Sequence, residues 1–324
     1  MILNSSRDGL GGHKEYCGEE HSPSVGWYSV AAMPHNMCYD AAATDRRFQS
    51  LRRYCEEEAL IDPGEFHCCH EKECLSEVGR KHLRLVEGGL AHVGEEYDIR
   101  FGSKELRLMF VGYDYGRGCA GLVQRRHDIQ NLVMPLNPHY SGITKVLIEV
   151  FQATCQGVQD EDEWRPLLKR MVQTNATRCC APKGNEMRCN TTAEMRRLCW
   201  IHFKKEIELL EPTVIFFHGA ELIHSFVTNV QTDKQLCLEP VYSDGLTETS
   251  LSREFHEHCK QITWATFPHA FESVLLFFHH PSYGHFGRQW DSVLLAVKQL
   301  RHMGRLPMLN SEWNVRKQKE WPSV

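Results

Sequence analysis

The sequence has no long hydrophobic run, no internal repeat and no low-complexity linker. None of its apolar stretches approaches the roughly 20 residues that a membrane-spanning helix needs, so we expect no membrane association. Residues 1–8 (MILNSSRD) lack the apolar core of a secretion signal, which favours a cytoplasmic protein. We expect a monomer.

Positive charge is also scarce. The chain has 37 lysines and arginines against 42 aspartates and glutamates, a net charge of −5 at pH 7. This balance gives no general attraction for polyanions, but it leaves nucleic acid open as a partner, because only the docking face must be basic. Basic pairs occur at positions 125–126, 196–197 and 204–205, and each also suits an ordinary solvated helix face.

Cysteine, by contrast, is abundant, with 14 residues. Disulfides are disfavoured in the cytoplasm, which leaves metal binding or buried thiols as the two interpretations. The most distinctive cysteines fall into two groups. These are Cys68, Cys69 and Cys74, and then Cys179, Cys180 and Cys199.

Four short apolar runs predict buried parallel strands, at 106–111, 171–174, 213–217 and 273–278. Helical patterns lie between them, including 144–152 and 192–210, where Thr191 and Glu194 have capping-box spacing. The alternation predicts the α/β class, as a three-layer α/β/α sandwich with a four-stranded, mainly parallel sheet. We expect an N-terminal extension (1–60), a catalytic domain (61–305) and a C-terminal tail (306–324).

Ligands of such folds bind beyond the carboxyl ends of the strands. The first predicted strand runs into Gly112, Tyr113 and Asp114, the second into Asn175, and the last into His280. Three strand ends therefore carry an aspartate, an asparagine and a histidine, which marks this edge of the sheet as the candidate site.

These motifs also follow a familiar order. Residues 174–179 (TNATRC), Gly184–Asn185, a helix with Cys199, residues 211–215 (EPTVI) and residues 280–282 (HPS) together resemble family 4 uracil-DNA glycosylases. The similarity covers about residues 68–300. It implies a [4Fe–4S] cluster bound by Cys69, Cys74, Cys179 and Cys199. Cys68 remains an alternative to Cys69, Cys180 is less favoured than Cys179, and zinc is the less favoured occupant.

The resemblance also implies roles for individual residues. Asp114 would orient the attacking water and stabilise the sugar cation, while His280 would hydrogen-bond the leaving base. Asn175 would read the pairing edge of a flipped base, and Tyr140 would stack on it. Phe286 would fill the vacated base stack and Arg288 would contact a phosphate. The remaining pocket residues would be Gly112, Tyr113, Gly116 and Ser282.

The first motif departs from the family pattern. Residues 112–116 read GYDYG, where family 4 usually has GEAPG, and Asp114 stands where family 1 enzymes keep their water-orienting aspartate. Gly116 replaces the family 1 tyrosine that blocks groups on carbon 5 of the pyrimidine. The resemblance, with this departure, therefore implies a glycosylase that removes uracil or a 5-modified pyrimidine from DNA, in base excision repair or in defence against modified foreign DNA.

Two other functions fit parts of the sequence. One is a non-catalytic iron–sulfur protein of the same fold that binds nucleic acid, although Asp114 argues against it. The other is an NAD-type oxidoreductase, because Gly116, Gly118 and Gly121 form G-x-G-x-x-G. That motif begins five residues past Val111, and the next acid, Asp128, comes too early for the ribose contact.

Overall fold

The structure is a computed structural model. It describes residues 37–58, 60, 68–83, 85–87, 91–112, 138–151, 165–181, 191–233, 237–240, 262–266, 272–278, 294, 296–298, 300–301 and 304–306. All of them belong to one compact unit, residues 31–324. Within these ranges, no helix has both the length and the apolar character needed to cross a membrane.

The described helices are α1 (Ala41–Glu57), α2 (Glu71–Arg80), α3 (Pro138–Phe151), α4 (Ala193–Leu210) and α5 (Ala220–Thr232), with a 3₁₀ helix at Arg165–Arg170. The strands are β1 (Met37–Tyr39), β2 (Val86–Glu87), β3 (His92–Val93), β4 (Ile99–Phe101), β5 (Lys104–Leu106), β6 (Leu108–Gly112), β7 (Met171–Asn175), β8 (Cys179–Cys180), β9 (Val214–His218), β10 (Cys237–Pro240), β11 (Ile262–Thr266) and β12 (Glu272–Phe278). Helices and strands alternate, which confirms the α/β class.

The main sheet has seven described strands, in the order β10-β11-β12-β9-β6-β7-β3. Its four neighbouring strands β12, β9, β6 and β7 are parallel, and they correspond to the four apolar runs of the sequence. The prediction of four strands in total is wrong, because β10, β11 and β3 add antiparallel pairs at the two sides. Two smaller sheets, β1-β4-β5 and β2-β8, complete the described strands.

Both faces of the sheet are buried, as in parallel sheets generally. Alternate residues of β6 face opposite sides. Met109 and Val111 join a core with residues of α1, α2, α4 and α5. Leu108 and Phe110 join a second core with α3 and residues 296–300. Helix α1, which the sequence places in the N-terminal extension, contributes Phe48, Leu51 and Cys55 to the first of these cores.

Helix α4 carries most of the buried polar chemistry. Its N-cap is Thr192, whose hydroxyl accepts a hydrogen bond from the Met195 amide at 3.1 Å. The capping box expected from Thr191 is therefore displaced by one residue, and Glu194 pairs with Arg197 instead. The helix ends at Glu211, in a left-handed conformation, and Pro212 leads into β9.

Candidate functional site

The carboxyl ends of the four parallel strands stand level with one another. Gly112 of β6 pairs with Asn175 of β7, and His218 of β9 pairs with Phe278 of β12. Val111 pairs with both Thr174 and Phe217, which sets the two pairs at the same height. The row across this edge is thus Phe278, His218, Gly112 and Asn175, and we call it the strand-end row.

Within this row, the glycine makes room for the asparagine. A Cβ atom at position 112 would collide with Oδ1 of Asn175. Any side chain there would displace the Asn175 amide, so the small residue is a steric requirement of the row. Asn175 itself is buried, and the Ala176 amide that follows donates to the Gly112 carbonyl at 3.0 Å, which fixes the chain as it leaves β7.

Most of the other predicted site residues lie outside the described part of the chain. Tyr140 lies in α3, whose backbone is described at that position while the Tyr140 side chain is not. Gly118 and Gly121 of the G-x-G-x-x-G motif are likewise outside the described residues. The site residues not described are Tyr113, Asp114, Gly116, His280, Ser282, Phe286 and Arg288.

The second group of predicted residues, the thiols, lies around α2 and α4. Cys68 and Cys69 precede α2, Cys74 lies in α2, and Cys199 lies in α4. Charges on these thiols act on one another: Cys199, Cys69 and Cys74 all raise the pKa of Cys68. Burial, the larger effect, raises the pKa of Cys68 and of Cys74 to about 12. Cys68, Cys74 and Cys199 are buried and Cys69 is exposed. A metal bound by the buried thiols would have to displace their protons.

Strand β8 supplies the remaining cysteines. Cys179 is buried in the same core as Cys68 and Cys74, and the Arg178 amide donates to Sγ of Cys199 at 3.5 Å. Successive side chains of a strand point to opposite sides, so Cys180 faces away from the side that Cys179 occupies. Cys68, Cys69, Cys74 and Cys199 thus lie near enough for their charges to interact. Of the two β8 cysteines, Cys179 belongs to the core that contains Cys68 and Cys74.

His202, one helical turn after Cys199, lies among these thiols. Its Nε2 is 3.4 Å from Sγ of Cys68 and 3.8 Å from Sγ of Cys69. Its Nδ1 is hydrogen-bonded to the hydroxyl of Tyr54 in α1 at 2.8 Å. Burial, reinforced by the charge of Arg178, lowers the pKa of His202 to about 4, so the imidazole is neutral at pH 7.

A buried ion pair connects the strand-end row with the thiols. The Arg178 guanidinium contacts the Glu206 carboxylate, and both side chains are 2% exposed. The Thr174 hydroxyl donates to Glu206 at 2.9 Å and accepts from Arg178 at 3.2 Å. Burial raises the pKa of Glu206, against the opposing effects of Arg178 and Thr174. The pair therefore anchors the segment from Thr174 to Cys179 onto α4.

Several of these residues were not expected from the sequence. His218 directly follows the predicted strand 213–217. Because ligands bind beyond the carboxyl ends of such strands, the sequence identifies His218 once the strand is extended by one residue. His202 follows Cys199 by three residues, which puts both side chains on one face of α4. Glu206 gave no signal, because a lone glutamate on a helix is usually solvated.

Comparison with models of known protein families finds no match, and comparison with curated proteins finds no related sequence.

Proposed function

We propose that this protein is a DNA glycosylase that hydrolyses the N-glycosidic bond of uracil or a 5-modified pyrimidine and leaves an abasic site. The observation that supports the proposal is the strand-end row, because Asp114 and His280 each follow one of its strands by two residues in the sequence, and Asn175 belongs to the same row. Helices on both faces of four central parallel strands also suit the three-layer glycosylase fold.

The distances follow from the chain. Asp114 follows Gly112 by two residues, and His280 follows Phe278 by two residues. Two residues span at most about 7 Å, so both side chains start close to the row. Gly112 and Phe278 are two strands apart, and neighbouring strands are about 4.8 Å apart, giving a gap of about 10 Å. A gap of this size accommodates a nucleoside, and Asn175 lies on the opposite side of Gly112 from Phe278.

The proposed chemistry uses each residue for what its atoms can do. Cleavage develops positive charge on the sugar and negative charge on the departing base. The Asp114 carboxylate orients water and faces the cation, while His280 donates a hydrogen bond to the base oxygen. The buried Asn175 amide has a donor and an acceptor with which to recognise the pairing edge of the base.

We propose a [4Fe–4S] cluster bound by Cys69, Cys74, Cys179 and Cys199. The described thiols suit it, because they come from three separate segments: Cys74, Cys179 and Cys199 are buried, and Cys69 is exposed. The cluster would supply no bond-breaking step; it would hold α2, β8 and α4 together. Cys179 lies four residues after Asn175, so this cross-link would also fix the segment that presents Asn175 to the base.

The purified protein should accordingly be brown and contain iron and acid-labile sulfide. Cys199→Ser should remove at least about 90% of the iron and reduce soluble yield, because metal binding is coupled to folding. Cys180→Ser is the matched control: it changes the neighbouring thiol of β8 and should retain the colour. Stoichiometric zinc without iron in anaerobically purified wild type would contradict the cluster.

The activity is tested with duplex and single-stranded DNA carrying uracil, thymine or cytosine with various 5-substituents, followed by alkaline cleavage of abasic sites. We expect a 5-modified pyrimidine to be removed at least as fast as uracil, because Gly116 has no side chain to exclude the substituent. Gly116→Tyr should restore that barrier and shift the preference towards uracil by about 10-fold or more.

Two outcomes would reject parts of this proposal. Wild type that cuts only uracil contradicts the open pocket but retains the glycosylase. Protein with a full complement of iron that binds DNA yet cuts none of the panel contradicts the enzyme and supports the non-catalytic nucleic-acid-binding alternative.

A further inference from the structure

We propose that Cys68, Cys69 and His202 form a binding site for a single tetrahedral metal ion, occupied by zinc in chains that lack the iron–sulfur cluster. This site differs from the cluster site in its metal and in its other ligands, but the two sites share Cys69. One chain therefore cannot hold both. The inference does not depend on the glycosylase activity.

The geometry of the three donor atoms carries the inference. The two sulfurs and Nε2 of His202 all lie within 4.8 Å of one another. Zinc binds sulfur at about 2.3 Å and imidazole nitrogen at about 2.0–2.1 Å, which separates nitrogen from sulfur by about 3.6 Å at the tetrahedral angle. The observed separations of 3.4 and 3.8 Å lie on either side of that value. In a cubane cluster each cysteine binds a different iron, so three donors converging on one point suit a single ion instead.

The surroundings of His202 also suit a ligand. A metal-binding histidine commonly donates its other ring N–H to an oxygen that fixes the orientation of the ring. The hydroxyl of Tyr54 lies 2.8 Å from Nδ1, in position to accept such a bond while Nε2 faces the thiols. Two sulfurs and one nitrogen form a mixed donor set typical of zinc. They leave one tetrahedral position for water or for Cys199, which lies on the preceding turn of α4.

Cobalt(II) is the probe for this site, because tetrahedral cobalt with thiolate ligands absorbs in the near-ultraviolet and in the red. The full-length protein would be produced in iron-poor medium, with cobalt as the only added transition metal. Wild type should bind one cobalt per chain with a tetrahedral spectrum. His202→Ala should weaken cobalt binding by at least about 10-fold and lose the nitrogen ligand.

Two control variants separate this site from the cluster and from a loss of packing. His92→Ala removes another buried histidine, in β3, and should bind cobalt as wild type does. Cys179→Ser removes a proposed cluster ligand that is not part of the single-ion site. It should keep cobalt affinity within about twofold of wild type, yet lose its iron when produced in iron-rich medium.

The proposal is overturned if His202→Ala binds cobalt as tightly as wild type, or if wild type shows no tetrahedral bands. Where His202→Ala is insoluble, X-ray absorption of the wild-type cobalt protein decides. A shell with nitrogen and two sulfurs supports the site, and an all-sulfur shell rejects it. Glycosylase activity and iron content are measured on separate iron-grown protein, so failure of this proposal and failure of the proposed function give different results.

Discussion

Glu206→Gln should lower the free energy of unfolding by about 3–5 kcal/mol, the loss expected when one partner of a buried ion pair is removed. The substitution nearly preserves shape and leaves the Arg178 guanidinium buried without its carboxylate. Arginine cannot lose its charge to relieve this, because its pKa is above 12. Urea unfolding of the metal-loaded protein, followed by circular dichroism, measures the change as a shift of the midpoint.

Removing the other partner should have a smaller effect that depends on pH. In Arg178→Met the Glu206 carboxyl can take up a proton, and burial already raises its pKa. A carboxyl whose pKa is higher in the folded state binds more protons there than in the unfolded state. The stability of this variant should therefore be greatest below the ordinary carboxyl pKa of about 4.3 and should fall as the pH rises above it.

Two further variants test whether the effect comes from the buried pair. Arg178→Met combined with Glu206→Leu leaves no isolated charge and should be more stable than Glu206→Gln. Arg52→Met breaks the pair with Glu56 in α1, which is 2.7 Å long with side chains 56% and 48% exposed, and should change stability little. A Glu206→Gln midpoint equal to that of wild type would show that the pair does not stabilise the fold.

The ion pair illustrates what the sequence can and cannot predict. Three of the four parallel strands are predictable because a strand buried on both faces reads as a nearly continuous apolar run, as in β9. β7 is the weakest of the four signals, because it includes Gln173 and Thr174. Edge strands gave no comparable signal, since β3 is only two residues long. The pairing of Glu206 with Arg178 spans 28 residues and joins a helix to a strand end, and no local pattern specifies it.

In the candidate site, too, some residues are predictable from the sequence and others are not. Asn175 is predicted because it directly follows a predicted strand, and Cys199 because it resembles a known ligand position. His202 shares a face of α4 with Cys199, yet its role depends on Cys68, more than 130 residues away. Contacts between distant segments depend on how α2, α4 and β8 pack. The spacing of residues within any one segment does not predict this packing.

In the proposed glycosylase this packing would also affect catalysis, because it fixes the strand ends that Asp114 and His280 follow in the sequence. The ion pair holds Thr174 against α4, and Asn175 is the next residue. Glu206→Gln should therefore weaken recognition of the base as well as stability, seen as a higher KM below the unfolding midpoint. A purely structural pair would leave KM unchanged in the fraction of protein that remains folded.

Asp114→Asn should lower the rate of base removal by at least about 10²-fold, the scale of losing one well-aimed catalytic group. The amide keeps the shape of the side chain but loses the negative charge that faces the sugar cation. DNA binding should persist, because the substitution adds no bulk and removes a charge that repels phosphate. Single-turnover cleavage with enzyme in excess measures the chemical step, and fluorescence anisotropy of labelled DNA measures binding separately.

Asp128→Asn is the matched control for this test, since Asp128 is the next acidic residue in the sequence and is not among the proposed site residues. It should cleave at the wild-type rate. Asp114→Asn with unchanged cleavage would refute the catalytic assignment. Loss of cleavage accompanied by an equal loss of DNA binding would assign Asp114 to the architecture of the site, because a group that acts only on the transition state changes the rate and leaves ground-state affinity intact.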